Sequence, residues 1–587
     1  MQPQTNNPAQ AITRIRLLYG ALILVMLVFG IRLFYVQVIR YDHYKAAALS
    51  DQLKQYEIPA TRGMIEVHDG NQVLPFVLNE RLFTLYADPT FIKNAADLSN
   101  KVAAIVGGQA SDYQKLMTTK NTRYVILQKK LTTDQQAKVA ALKSPGLGTQ
   151  EQDYRAYAQG SLASQLLGFV NNDGRGVYGV EQALDPILSG KPGQLKAITD
   201  VNGVPLAASK DNTQIAPKNG SNVVLTIDLA MQQQLENILA DGAKSSKADS
   251  ASAVIMDPKT GAIKAMANVP TYDPSTYYNV SDPKVFQNAA VATPIEVGSI
   301  MKTLTTAAAL DQGVINPNTT YYDPSFWVVD GFKITNIEED GGPGTRSIDD
   351  ILNLSLNTGA TWMLKQMGGG DINSKGRTIW YNYMTKHYRL GQMTGIEQGY
   401  EAEGYVPTPK DNGAGIDLTY ANTSFGQAMT ATPVQMGAAL SAVLNGGTYY
   451  QPHLVDQIID TSGKTTTFAP KIVQKNVVSP KVSQEMVPLM QFVVDHHYIV
   501  PGFDQNTYIV GGKTGTAQIA KSGGGYHDNE FNGTYIGFVG GNTPQYVIVV
   551  FVERPKNGGY AGTAAAQPIF AKLAHMLIDN SYVTPKS

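Results

Sequence analysis

An α+β architecture built on a mixed or antiparallel sheet is predicted for the C-terminal part of this sequence, on three observations. Strand-like runs stand at both of its ends, Val223 to Ile227 at the start and Tyr535 to Val539 with Tyr546 to Val552 at the finish. Helical patterns fill the interval between them, and segregated strands and helices point to this class rather than to alternating βαβ units. The run Val547 to Val552 is short, uncharged and largely β-branched, which suits a strand buried on both faces. With 587 residues the chain is too long for one core, since single cores stop growing near ~250–300 residues, so at least two domains are expected.

Composition narrows the function classes. Hydrophobic residues make up 43% and charged residues 16%, as in a folded globular protein. The formal net charge of -1 gives no general attraction to nucleic acid. There are no cysteines, so disulfides, thiolate metal sites and a cysteine nucleophile are excluded.

Residues 17–39 read as one transmembrane helix. Leu17 to Ile31 carries no charge, and with Leu33 to Ile39 the apolar span reaches the ~20 residues that cross hydrocarbon. Arg32 lies near one end, where its side chain can reach the headgroups. Arg14 and Arg16 precede the span and no acidic residue comes before Asp42, so residues 1–16 are expected to be cytoplasmic and the remainder outside. A cleaved signal peptide is the alternative, but no small-residue cleavage site follows the apolar run.

Residues 40–214 form a first extracytoplasmic region. Leu82 to Tyr86 and Tyr124 to Leu127 are strand-like, Thr132 to Leu142 is helical, and Gly174, Gly176 and Gly179 mark turns before Glu181. Pro217, Asn219 and Gly220 punctuate a boundary, and residues 215–587 form the second region. There Asp228 is placed to cap a helix from Leu229 to about Lys244. Ala253 to Met256 and Ile263 to Ala267 flank a turn and read as a hairpin. A helix starts near Ser299 and ends by Gly313. Another spans Thr432 to Leu444, closed by Asn445-Gly446-Gly447, and a last one runs from Ala564 to Ile578.

Gly298-Ser299-Ile300-Met301-Lys302 is the segment with the clearest chemistry. Residues three apart on a helix share a face, so Lys302 would sit beside the Ser299 hydroxyl. A serine needs an adjacent base to act as a nucleophile, and a lysine is a base only when burial or a nearby cation keeps it neutral. The spacing alone is weak, because Ser281 and Lys284 share it, although Pro283 between them disfavours a helical face. Two further segments add weight. Ser355-Leu356-Asn357 offers a hydroxyl and an amide. Lys513-Thr514-Gly515-Thr516 offers a cation, two hydroxyls and a glycine that admits a second backbone, as an edge strand binding a peptide would. Lys259-Thr260-Gly261 is a decoy for the last motif, at the tip of a hairpin turn ahead of Ser299.

The ordered triple is the signature of penicillin-binding proteins and serine β-lactamases, and the chain resembles the class B penicillin-binding proteins, monofunctional D,D-transpeptidases of bacterial cell-wall synthesis. Arg32-Leu33-Phe34-Tyr35, Pro59-Ala60-Thr61-Arg62-Gly63, Gly179-Val180-Glu181, Leu225-Thr226-Ile227-Asp228, Gly426-Gln427 and Thr432-Pro433 with Gln435 extend the resemblance along nearly the whole chain. It implies the penicillin-binding transpeptidase fold, an antiparallel sheet packed by helices plus an all-helical lobe. An elongated, non-catalytic pedestal or dimerisation-type domain and one membrane helix would precede it. Ser299 would attack the D-Ala-D-Ala carbonyl of a stem peptide with Lys302 as its base. Ser355 and Asn357 would relay the proton and orient substrate. Lys513 and Thr514 would set the electrostatics, and Gly515 and Thr516 would line the substrate strand, Thr516 helping to hold the terminal carboxylate. Ser299 and Thr516 would supply backbone N–H groups to the oxyanion hole. β-Lactams would acylate Ser299. The departures, Val297 before Gly298, Leu356 in the second motif, Val67-His68-Asp69-Gly70 after Arg62-Gly63, and Gln567 near the end, remove no catalytic side chain.

No cofactor or metal is expected: adjacent His496 and His497 lack an evident third ligand, and Glu338-Glu339-Asp340 reads as a solvated loop. The expected partners are stem peptides, the membrane, a membrane glycosyltransferase and the division or elongation machinery, with no nucleic acid. A β-lactam hydrolase or sensor and a non-catalytic scaffold of the wall-synthesis complex are the alternatives. Length and the lack of large insertions lean toward the division type.

Overall fold

The N-terminal apolar run is helical over Pro8–Phe34 and continues as a wider turn over Tyr35–Ile39. Its described side chains are almost all exposed, as they must be if lipid rather than protein covers them. It is the one helix among the described residues long and apolar enough to cross a membrane. This computed structural model describes residues 8–42, 44, 53–198, 213–336, 342–410, 415–496, 502–521 and 525–587. Glu338, Glu339, Asp340 and His497 lie outside them.

The chain separates into two compact units. One holds residues 1–61 and 190–219, where Leu53–Ile58, Gly193–Ile198 and Thr213–Ile215 pair as a three-stranded antiparallel sheet. The other holds residues 62–189 and 220–587.

In the larger unit the two ends of the second region come together in a five-stranded antiparallel sheet. Its order is Ile263–Val269, Ser250–Met256, Pro544–Glu553, Tyr526–Gly540 and Ile509–Ala520. Alternation along the central strand divides the core in two. Val547, Val549 and Phe551 face a cluster with the helices Met301–Asp311, Asn357–Met367 and Pro433–Leu444. Ile548, Val550 and Val552 face a cluster with Leu229–Ser246 and Gln567–Asp579. Helices on both faces explain why this strand reads as an unbroken apolar run.

The helix boundaries follow local chemistry. Asp228 accepts from Met231 N–H to start Leu229–Ser246. Thr132 and Gln135, and Thr432 and Gln435, each close a reciprocal capping pair. The last helix begins at Gln567 rather than Ala564, because a wide turn occupies Gly562–Ala566. The helical lobe also carries two ribbons, Thr320–Asp323 with Gly344–Ser347 and Phe326–Val329 with Phe332–Thr335. Their strands are four residues each, too short to leave a clear periodicity in the sequence.

A second sheet joins early and late parts of the chain. Asn222–Asp228 runs parallel to Ile65–Asp69 and antiparallel to Val455–Ile459. Beside it, buried Glu181 lies 2.6 Å from one guanidinium nitrogen of Arg62 and 2.7 Å from Arg155 Nε. Arg62 also pairs with Asp185 at 2.7 Å. Arg62 and Glu181, noted separately in the sequence, are thus two halves of one buried ionic cluster.

Candidate active site

Ser299 sits where three elements converge. Gly298–Ile300 forms a tight turn that leads into the buried helix Met301–Asp311, so the predicted helix begins with a 3-10 turn. Gly298 has φ +65°, and a Cβ on it would lie 3.0 Å from Thr516 O, so only glycine lets the turn press against the edge strand. Gly515 answers from the other side: a Cβ there would meet Thr534 Oγ1 at 2.2 Å and Val297 O at 3.0 Å. Val297 O is held by the Thr534 hydroxyl at 2.8 Å.

Lys302 follows on the helix and is fully buried. Its Nζ lies 2.9 Å from Ser299 Oγ, 2.5 Å from Ser355 O, 2.8 Å from Asn357 Oδ1 and 3.2 Å from Ser355 Oγ. Ser355 has φ +56°, a left-handed conformation that accompanies the turn of its carbonyl onto the amine. Asn357 opens the next helix, and its Nδ2 donates to Thr335 O at 3.0 Å, which orients Oδ1 toward Lys302. Two of the four contacts are carbonyl oxygens, which can only accept. A neutral amine satisfies both with its two N–H groups and keeps its lone pair for a hydroxyl. Burial pushes the Lys302 amine well below the ordinary lysine range, and the nearby Lys513 cation pushes it further.

Lys513 is also fully buried; its Nζ donates to Thr514 O at 3.0 Å, and burial lowers it to about 7. The strand that carries it, Ile509–Ala520, is the edge of the five-stranded sheet, so its outer side is open to an added peptide strand. Thr516 Oγ1 accepts from Gly562 N–H at 3.0 Å, which leaves its own O–H to donate elsewhere.

A groove of about 1040 Å³ opens on this centre. Ser299, Asn357 and Thr516 line it, whereas Lys302 and Lys513 lie behind that lining with no exposed surface. Sequence reasoning missed other wall residues, among them Phe332, Gln518, Tyr526 and Phe531, and singled out Gln427 without placing it in the groove. Glu296, three residues before Ser299, was missed too; it accepts from Ala428 N–H at 2.9 Å and Tyr526 O–H at 3.0 Å. Its place two residues ahead of the Gly-Ser turn was the one available signal.

The decoys separate by environment. Ser281 and Lys284 are both exposed, Lys284 on the short 3-10 turn Pro283–Phe286 and Ser281 in a bend ahead of it. Lys259 is exposed at the hairpin tip, where its Nζ donates to Thr543 Oγ1 at 3.2 Å. His496 stacks on Phe492 at 3.8 Å.

Comparison with known proteins supplies a second line. Residues 251–575 match the family model for the penicillin binding protein transpeptidase domain, and residues 57–225 that for the penicillin-binding protein dimerisation domain. The chain is 30% identical to Stage V sporulation protein D of Bacillus subtilis, over 97% of this chain and 86% of that protein. It is 26% identical to the peptidoglycan D,D-transpeptidase FtsI of Buchnera aphidicola subsp. Schizaphis graminum, over 96% and 94%. It shares the fold of penicillin binding protein 2X from Streptococcus thermophilus, with TM-score 0.71, 23% identity, and coverage of 90% of this chain and 80% of that one. Two family models in sequence, a relative matched along nearly its whole length and a shared fold leave one assignment: the chain belongs to the class B penicillin-binding proteins.

Proposed function

We propose that this chain is a peptidoglycan D,D-transpeptidase that crosslinks stem peptides through an acyl-enzyme on Ser299. The observation that carries the assignment of the nucleophile is the 2.9 Å contact between Ser299 Oγ and the buried Lys302 Nζ. The lone pair of Lys302 takes the Ser299 proton as Oγ attacks the carbonyl carbon of the penultimate D-Ala. Backbone N–H groups of Ser299 and Thr516 receive the oxyanion, a donor of this kind contributing ~3–4 kcal/mol. The C–N bond then breaks, and Ser355 Oγ, 3.2 Å from Lys302 Nζ, passes the proton to the departing D-Ala amine. A neighbouring stem's amine then attacks the ester carbonyl, its proton passes by the same route to Ser299 Oγ as the C–O bond breaks, and the two stems are left joined by a new amide bond while the Ser299 hydroxyl is restored. Lys513 and the free O–H of Thr516 attract the terminal carboxylate. β-Lactams, which mimic the D-Ala-D-Ala end, acylate Ser299 and stay.

In this reading residues 40–214 are a non-catalytic module and residues 215–587 the transpeptidase domain, a two-part order supported by the separate family-model matches at residues 57–225 and 251–575. The helix over 17–39 anchors the chain with its N-terminus in the cytoplasm, supported by Arg14 and Arg16 ahead of it. A membrane glycosyltransferase supplies the glycan strands, and the setting is cell division.

Fluorescent penicillin tests the reading. The full chain is expected to take up stable label, and Ser299→Ala to take up none. Label on Ser299→Ala would reject Ser299 as nucleophile, and rapid loss of label from the unaltered chain would favour a hydrolase.

A further inference from the structure

Two elements that wall the groove meet on a single oxygen outside the catalytic constellation. Glu296 Oε1 accepts from Ala428 N–H at 2.9 Å and from Tyr526 O–H at 3.0 Å. Ala428 follows Gln427, a lining residue, and holds φ +56°. Tyr526 lines the groove itself and begins the strand that pairs with the edge strand, opposite Ala520. Glu296 Oε2 is buried with no hydrogen-bond partner among the described residues. Burial lifts the carboxyl above the usual carboxylate range. An acid whose second oxygen is idle, and whose first ties two separate walls, is an expensive way to fill space; a buried polar atom left unmade costs ~1–3 kcal/mol.

The direction of the groove gives this tie a purpose. Thr516 and Gln518, two apart on the edge strand, both line it, and Tyr526 stands beyond them next to Ala520. With the substrate carboxylate at Lys513 and Thr516, the stem residues remote from the scissile bond run toward Gln518 and Tyr526. We propose that Glu296 is a positioning residue that sets the spacing of the Gln427 and Tyr526 walls, and so governs how tightly the remote part of the acyl donor is held. The proposal rests on the Ser299 transpeptidase reading.

Two β-lactams separate wall contacts from chemistry. Benzylpenicillin carries an acyl side chain that would extend along the strand; 6-aminopenicillanic acid has the same reactive ring without it. In the full chain, Glu296→Ala is expected to raise the dissociation constant of the complex preceding acylation about 10-fold for benzylpenicillin, as loss of hydrogen bonds at one wall implies. The shift for 6-aminopenicillanic acid should stay within about twofold, and the limiting acylation rate within about threefold for both. Glu296→Gln, which retains an acceptor oxygen, should restore most of the affinity. Tyr526→Phe, which removes one of the two bonds, should weaken benzylpenicillin selectively, and it decides the matter if Glu296→Ala does not fold. Equal loss for both probes, a loss confined to the limiting rate, or no effect of Tyr526→Phe would overturn the proposal. Acylation of Ser299→Ala in the same assay would count instead against the nucleophile.

Discussion

Asn357 Oδ1 lies 2.8 Å from Lys302 Nζ, and with Ser355 O it occupies the two N–H groups of a neutral amine. The lone pair is then left for the Ser299 hydroxyl. Two acceptors that cannot donate therefore select the direction of the lone pair, while burial and the Lys513 cation select the protonation state of the amine.

Asn357→Asp tests that selection. A carboxylate beside the amine favours its charged form, so the ascending limb of acylation against pH should move to higher pH. On the ascending limb the acylation rate should fall ~10-fold for each pKa unit of displacement, one unit being worth ~1.4 kcal/mol. Stopped-flow acylation across the pH range measures this, and a limb that stays in place would refute it.

Lys513→Met carries the same sign by a different route. The Lys513 cation is one reason the Lys302 amine is depressed, after burial. Lys513 itself, at about 7, carries its proton below that pH and loses it above. Without it Lys302 holds its proton to higher pH, so the rising limb again shifts upward. Affinity for substrates bearing the terminal carboxylate should fall as well, read as a rise in KM for a D-Ala-D-Ala thioester.

Gly515→Ala should cripple acylation while sparing the fold. The new methyl would fall 2.2 Å from Thr534 Oγ1 and 3.0 Å from Val297 O, so the edge strand must move off the Gly298–Ile300 turn. A displacement of about 1 Å at such a centre costs on the order of 100-fold in rate. The check is penicillin acylation beside an unfolding curve; a rate within a few-fold of the unaltered chain would contradict the close approach.

Glu181→Ala should act on stability and not on chemistry. It would leave the Arg62 and Arg155 guanidiniums, 9% and 4% exposed, without their shared carboxylate. Removing one partner of a buried ion pair costs ~3–5 kcal/mol. A drop in Tm with penicillin labelling retained at low temperature is the expected pair of results.

The physical distinction between what was legible and what was not is one of range. Asp228, Thr132 and Thr432 act on N–H groups three residues ahead, so the starts of their helices could be read from neighbouring letters. The chemical types at Ser299, Lys302, Ser355, Asn357 and Lys513, and their order, were legible for the same reason: they are properties of the residues themselves. By itself the sequence determined the Asp228 cap, the helix starts near Thr132 and Thr432, the apolar runs of the sheet, the anchor-length span and the set of reactive groups. Only the tertiary structure decided which serine–lysine pair is buried and which exposed, that Ser355 turns its carbonyl onto Lys302, that Arg62 and Glu181 share one ionic cluster, and that Glu296 ties Ala428 to Tyr526. Those contacts join residues from 3 to 230 apart in the chain. Their distances are set by the packing of helices on the sheet and by glycines such as Gly298 and Gly515 that let backbones touch.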